Sequence, residues 1–391
     1  MPFPSWLPAL LGLLTAVGPV STDMYLPAFP AIEAALGGRP GTAQITLATW
    51  FLGLSIGQIT QGSLADRFGR RAPLMVGTGL YTLASVGCAL APDLTILSAM
   101  RLLAALGGSA GMVIPRAMVR DLSDGHAAAR IMSQLMLVMG VAPILAPTLG
   151  GFVLATLGWQ AIFWLAAGYG VISVLLIWRV LPETLPPARR VRLGPAEHVA
   201  RSRMICVERS FITHALIGSF AMFGLFAYLG GAPDVFIDHF HLTPTAFGVL
   251  FGVCAAGFIG ASQFNPYFVR RFGMGRVIRI ATRASCVAML ALSAVAYLGL
   301  GPWWVVAIPI LLNMLSMGFI LPNATVGALS RHAGHAGSAS ALMGTMQYGV
   351  GAVSGLLVGV AADGTARPMA TLMLLGAGCA AVADFCRPKQ P

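Results

Sequence analysis

Apolar residues run along this chain in long blocks separated by short polar segments, and the blocks are far too long to be strands. At 1.5 Å per residue, ~20 apolar residues in a helix cross the ~30 Å hydrocarbon core of a bilayer. Twelve blocks approach or exceed that length, over residues 6–33, 43–63, 72–91, 94–117, 128–155, 159–181, 210–232, 245–268, 277–299, 302–323, 336–361 and 366–386. Glycine and proline recur inside them, as in membrane helices that pack closely and bend. The polar segment 182–209, with Arg189, Arg190, Arg192, Arg201 and Arg203, falls near the middle of the chain. The pattern predicts an all-α integral membrane protein of twelve transmembrane helices. Residues 1–181 form an N-terminal six-helix bundle, 182–209 a cytoplasmic linker and 210–391 a C-terminal six-helix bundle.

Composition agrees: 57% of residues are hydrophobic, 9% are charged and mean hydropathy is +0.81, whereas soluble domains carry ~25% charged residues. The net charge of +11 would suit a nucleic-acid partner, but its distribution excludes one. Every Arg and Lys except Arg39, Arg367, Arg101 and Arg283 falls at the N-terminal side of an odd-numbered span or the matching end of an even one. That asymmetry is the positive-inside rule, and it predicts both termini in the cytoplasm. The first span begins without a basic leader or a small-residue cleavage site, so no signal peptide is expected. Six cysteines (Cys88, Cys206, Cys254, Cys286, Cys379, Cys386) show no metal or disulfide spacing.

The two halves echo each other. Arg67-Phe68-Gly69 recurs as Arg271-Phe272-Gly273, and Tyr25-Leu26 with Pro30 recurs as Tyr228-Leu229 with Pro233. The two offsets nearly coincide and approach half the chain length, which indicates a duplicated six-helix unit. Parallel repeats with a substrate site at their interface are a transporter architecture.

Asp23 is the only charged residue between Trp6 and Ile32. A carboxylate at bilayer depth costs at least ~2.5–3.5 kcal/mol and usually faces a bundle interior or wet cavity, where it binds protons or cations. A packing role through hydrogen bonds is the alternative. Arg101, in the fourth span, lies ~12 Å below Asp93, and Asp23 lies ~15 Å below Glu33 at the same face. The shared depth suggests that Arg101 tunes the proton affinity of Asp23, against the alternative of a structural salt bridge.

The loop after the second span reads Gly62-Ser63-Leu64-Ala65-Asp66-Arg67-Phe68-Gly69-Arg70-Arg71. It resembles the loop signature of the major facilitator superfamily, G-x-L-a-D-r-x-G-r-[KR]. The resemblance implies a conformational latch at Gly62, Asp66, Arg67, Gly69 and Arg70. The second copy has Arg270 where the acid belongs, so a second latch is expected to be degenerate. Ala142, Ala146-Pro147 and Gly150-Gly151 in the fifth span look like the superfamily's antiporter motif, g-x-x-x-G-P-x-x-G-G. Small residues there would let the helix pack tightly on a neighbour, and generic packing remains the alternative.

Ser21-Thr22-Asp23-Met24-Tyr25-Leu26-Pro27-Ala28-Phe29-Pro30 narrows the resemblance to the Bcr/CflA group of drug:proton antiporters. Val119-Arg120-Asp121, Gly158-Trp159-Gln160, Pro322-Asn323-Ala324 and Gly337-Ser338-Ala339-Ser340 extend it over nearly the whole chain. What it implies is a monomer in the bacterial inner membrane that exports small amphiphilic antibiotics, of amphenicol or bicyclomycin type. Inward proton movement through Asp23 and Arg101 would drive it, with no cofactor. Tyr25, Met24, Phe223, Asn313 and Gln347 are candidates for the drug cavity, and Phe220, Phe223, Phe226 and Tyr228 for its aromatic wall, with packing or interface anchoring as the alternative for these aromatics. Asn313 and Gln347 could equally bridge helices. Asp234, Asp238, His239 and His241 read as solvated loop charges, and Arg283 as a side chain snorkelling to the cytoplasmic face. The closest other reading is a proton-coupled transporter of a native metabolite such as an amino acid. An integral-membrane enzyme would need clustered acids or a supported histidine, and His332 and His335 lack nearby carboxylates in sequence.

Overall fold

The computed structural model describes residues 6–39, 41–122, 125–190, 195–332 and 336–388. They form twelve long helices: α1 (Leu7–Ala35), α2 (Ala43–Phe68), α3 (Arg71–Ala89), α4 (Leu94–Leu122), α5 (Gly125–Leu157) and α6 (Trp159–Arg179), then α7 (Arg209–Pro233), α8 (Pro244–Phe272), α9 (Met274–Leu298), α10 (Trp303–Leu329), α11 (Ala336–Ala361) and α12 (Arg367–Phe385). Ten of the described helical segments are long and apolar enough to cross a membrane. The remaining two long helices are α2 and α5. α2 carries Gln44, Gln58, Gln61, Asp66 and Arg67, which lower its hydropathy without shortening it. The fold is a pair of six-helix bundles. The sequence pattern missed one element, a linker helix over Pro195–Val207, because Glu197, His198, Arg201, Ser202 and Arg203 leave it no apolar block to read.

The halves meet along two seams, α2 against α11 and α5 against α8. Both depend on small residues that let backbones approach, since lipid tails give no hydrophobic drive for helix pairing. Gly41 and Gly359 touch at the end of the α2–α11 seam that holds Glu33 and Asp234. Further along, Ser55 donates to the Thr345 carbonyl at 2.9 Å, and Thr345 returns a bond to the Ser55 carbonyl at 3.1 Å. On the other seam the Pro147 carbonyl faces Gly248, and the Pro244 carbonyl faces Gly151.

α1 is not continuous. It runs as Leu7–Thr15 and Val17–Thr22, turns through Asp23–Tyr25, and resumes as a tight turn at Leu26–Ala28 and a last helix at Phe29–Ala35. Prolines 19, 27 and 30 account for the breaks, because proline lacks an N–H and crowds the carbonyl four residues earlier. For Pro27 that carbonyl belongs to Asp23.

Candidate functional site

Asp23 caps the second piece of α1, its N–H bonded to the Pro19 carbonyl at 2.8 Å, and its side chain is buried. Interrupted helices place backbone and side-chain polar groups at ion and substrate sites in transporters. Residues on either side of Asp23 turn into the N-terminal bundle. Ser21 shares a 2.7 Å hydrogen bond with the Tyr81 hydroxyl, and the Tyr25 hydroxyl bonds Thr46 Oγ1. Asp23 itself stands at the turn between them. It lies within electrostatic reach of the Tyr228 and Tyr348 hydroxyls on α7 and α11. Asp23 therefore looks toward the seam between the halves.

Arg101 does not form the partnership expected from its depth. Among the described residues it makes no ion pair with Asp23; its Nη1 donates to the Ser21 carbonyl at 2.8 Å. Its guanidinium lies 4.4 Å from the Trp50 ring centroid, 4.5 Å from Tyr25 and 5.9 Å from Phe163. Arg101 is buried, with Nε and Nη2 lacking protein partners. Cation–π contacts contribute ~0.5–2 kcal/mol each and a charged hydrogen bond ~1.5–3 kcal/mol. Burying an ion costs several kcal/mol, a burden of the same order as these contacts together supply.

One end of the molecule is shut. Gln44 of α2, fully buried, donates from Nε2 across the seam to Asp234 Oδ2 at 2.8 Å and to the Gly230 carbonyl at 3.1 Å. Glu33 is buried beside it and accepts the Ala43 N–H at 2.8 Å. Asp234 is thus a structural member of the seam, contrary to its reading as a solvated loop charge. Below this layer Phe51 of α2 packs on Phe226 of α7 with centroids 3.8 Å apart, and Tyr348 of α11 lies 6.0 Å from Phe226.

The arginine-rich end is open. A cavity of about 240 Å³ lies there, lined by Gln58, Gly62, Met112, Arg116, Arg201 and Ser340 among others. None of the five expected cavity residues lines it. Tyr25 packs inside the N-terminal bundle against Phe29 and Phe163. Asn313 accepts the Ser285 hydroxyl at 2.6 Å and bridges α9 to α10. Met24 turns its carbonyl to Gly150 of α5. Phe223 is buried, its carbonyl taken by Ser354 at 2.7 Å. Gln347 lies against Gly218 of α7. Residues missed by sequence reasoning are Gln58, Met112, Ser340 and above all Arg116. By charge pattern Arg116 belongs with the topogenic arginines, yet about four helical turns separate it from Arg101, which sets both on neighbouring faces of α4.

The loop motif folds into a clasp at the same end. Arg70 donates to Asp66 at 2.6 Å and to Asp121, at the end of α4, at 2.7 Å. Glu183 accepts the N–H groups of Arg70 at 2.8 Å, Leu185 at 2.9 Å and Arg71 at 3.3 Å. Burial alone would raise the Glu183 pKa, but these three N–H groups and Arg190 bring it below the ordinary carboxylate value. Gly69 has φ +92°, and a methyl there would stand 2.3 Å from the Glu183 carboxylate. Gly62 and Arg67 take no part in the clasp's ion pairs; Arg67 lies over the Phe68 ring.

In the C-terminal half the polarity of the clasp is reversed. Asp384 at the end of α12 pairs with Arg387 at 2.8 Å, and Arg387 donates to the Gly275 carbonyl at the start of α9. The degenerate loop around Arg270 is thus replaced by a tie from the chain's last helix. His332 has a carboxylate neighbour after all, Glu208 at 3.7 Å; His335 lies outside the described residues. On the other seam, Pro147, Gly150 and Gly151 of α5 meet α1 and α8 backbone to backbone.

Comparison with known proteins fits this geometry. The family model described as Major Facilitator Superfamily matches residues 11–382. The chain is 35% identical to YdgK of Bacillus subtilis, named an uncharacterized MFS-type transporter, over 97% of this chain and 95% of that one. It is 30% identical to a bicyclomycin resistance protein homolog of Haemophilus influenzae, over 94% and 92% of the two chains. A chloramphenicol resistance protein of Pseudomonas aeruginosa is 28% identical over 93% and 86%. The crystal structure of a D-xylose–proton symporter superposes with TM-score 0.73 at 16% identity, covering 97% of this chain and 95% of that one.

Proposed function

The chain belongs to the Major Facilitator Superfamily, and within it we propose a proton-coupled exporter of small amphiphilic antibiotics, of amphenicol or bicyclomycin type. It is a multi-pass membrane transporter, not an enzyme. The observation that carries the coupling is Asp23, buried at the break in α1 and directed toward Tyr228 and Tyr348 across the seam. The substrate class is supported by the drug-resistance names of the relatives.

In this reading the arginine-rich end lies in the cytoplasm of a bacterium, with both termini, and the protein works as a monomer in the inner membrane. Residues 1–181 and 210–391 rock about the central seams, joined by 182–209. The drug enters from the cytoplasm through the cavity at Gln58, Met112 and Ser340. Asp23 takes a proton from the periplasmic side, which favours the inward-facing arrangement, and drug binding then competes with that proton. The Arg70–Asp66–Asp121 clasp steadies one end of the cycle, and the Pro147–Gly151 contact with α8 limits leakage through the other. Arg101 shapes the field around α1 without touching Asp23. The proton gradient is the driving force, and no cofactor is needed.

The test is drug-driven proton movement in energised everted membrane vesicles, with amphenicols, bicyclomycin, lipophilic cations and amino acids as the panel. Dissipation of the pH gradient by one antibiotic class, absent from control vesicles, is the expected result. A response to an amino acid alone would replace drug export with metabolite transport.

A further inference from the structure

We propose that the chamber around Arg101 binds a single small inorganic anion, chloride under ordinary salt conditions. The chamber is a cavity of about 10 Å³ in the interior of the N-terminal bundle, lined by Ser21, Trp50, Tyr81, Ser85, Cys88 and Arg101 among others. A space of that order is about one water-sized sphere, and a chloride ion, slightly larger than water, requires the flexible Arg101 side chain to shift outward to admit it.

The nitrogen chemistry of its wall is one-sided. Arg101 Nε and Nη2 and Trp50 Nε1 are buried and have no protein partner among the described residues, and all three are donors only. Arg101 itself is 2% exposed. Ser21 and Tyr81 share one hydrogen bond between their hydroxyls, so one of the two hydroxyl protons is left over. Ser85 already donates to the Tyr81 carbonyl. The wall thus presents three unpartnered N–H donors, two of them on a charged guanidinium, beside hydroxyl groups that can turn either a proton or a lone pair inward.

Charge points the same way. Among the described residues no carboxylate lies within ion-pair distance of Arg101, and Glu33, at the end of α1, is engaged with the Ala43 N–H. Water would satisfy part of this wall but leaves the guanidinium charge uncompensated. A chloride ion accepts from every side, brings no hydrogens and supplies the missing charge. Buried ions are held in proteins by pairing and hydrogen bonds together. The site is separate from the cytoplasmic cavity and from Asp23, so it stands or falls independently of the drug:proton reading.

The experiment is thermal unfolding of the purified full-length protein in detergent, with chloride replacing gluconate at constant ionic strength. The expected result is a melting temperature that rises saturably with chloride, as for any ligand that binds the folded state alone. Cys88→Asp places a carboxylate in the chamber wall and should make unfolding insensitive to chloride. Trp50→Phe keeps the ring over Arg101 and loses the N–H, and should raise the half-saturating chloride concentration several-fold. Equal melting temperatures in chloride and gluconate would overturn the proposal, as would full chloride dependence in Cys88→Asp. Should Cys88→Asp fail to fold, anomalous diffraction from crystals grown in bromide decides. A bromide peak beside Arg101 supports the anion site, and water density alone there overturns it.

Discussion

Met24 presents its backbone carbonyl to Gly150 so closely that a methyl at position 150 would stand 2.0 Å from the oxygen. The broken stretch of α1 and the antiporter-motif helix are therefore fitted backbone to backbone, and no side-chain adjustment can make room. Gly150→Ala should force the two helices apart, at ~1–3 kcal/mol for an overpacked contact. Transport should fall more than expression does. At Gly151 the facing oxygen, that of Pro244, is at 2.8 Å, so Gly151→Ala should be milder. Thermal unfolding and vesicle transport measured on both variants check the ranking; a milder Gly150→Ala would contradict the fit.

Asp23→Asn keeps the shape and removes the ionisable group. The variant should fold and bind drug, yet release no protons on drug addition and confer no coupled efflux in vesicles. Asp23 makes no ion pair among the described residues, so no buried partner charge is stranded and stability should stay within ~1 kcal/mol of the parent, as for substitutions that disturb no packing or paired charge. Undiminished drug-driven proton release from Asp23→Asn vesicles would refute its role.

The contrast between Asp23 and Arg101 marks how far the sequence could be read. Apolar block length set the number of spans, and residue spacing set depth along them; the Arg101–Ser21 hydrogen bond brings Arg101 to the turn of chain that carries Asp23. Depth says nothing of rotation. Ser21 and Tyr25 turn toward α3, α2 and Arg101 while Asp23 turns to the seam, and that choice follows from the interruptions at Pro19 and Pro27 and from packing with distant helices. The same limit explains the drug-cavity residues. Tyr25 and Asn313 are polar groups at mid-membrane depth, but each is consumed by a hydrogen bond inside its own half. The clasp was more legible, because its loop is short and its geometry is set by local glycine and charge spacing; the distant acceptor Glu183 was not, since chain proximity gives no hint of it.

The Glu183 carboxylate gives the clasp a pH dependence. Its pKa is depressed in the folded protein, so its stabilising effect is present above the unfolded value of ~4.3 and is lost as pH falls through the folded value. Acidification through and below pH ~4 should loosen the α3 end of the loop, seen as faster hydrogen exchange at the Arg70 and Arg71 amides once corrected for intrinsic rates. Glu183→Gln should show that faster exchange already at neutral pH and lose the acid-dependent step. An unchanged acid response in the variant would assign the effect to another carboxylate.

The Gln44–Asp234 hydrogen bond is the polar tie of the closed end, and it joins helices from opposite halves. Gln44 is fully buried, so Asp234→Ala leaves its amide with only the Gly230 carbonyl to bond. Leaving a buried donor short of a partner costs ~1–3 kcal/mol, and only the closed arrangement bears that cost, because opening exposes Gln44 to water. The equilibrium should shift toward the open form by roughly 5–150-fold, the ratio that ~1–3 kcal/mol commands. Hydrogen exchange at the closed ends of α2 and α7 should quicken accordingly. Asp234→Asn retains an acceptor oxygen for Gln44 and should restore most of the protection, so the pair of variants separates the hydrogen bond from the charge. Equal protection in Asp234→Ala and the parent would mean that the Gly41–Gly359 contact and the Phe51–Phe226 stack hold this end without it.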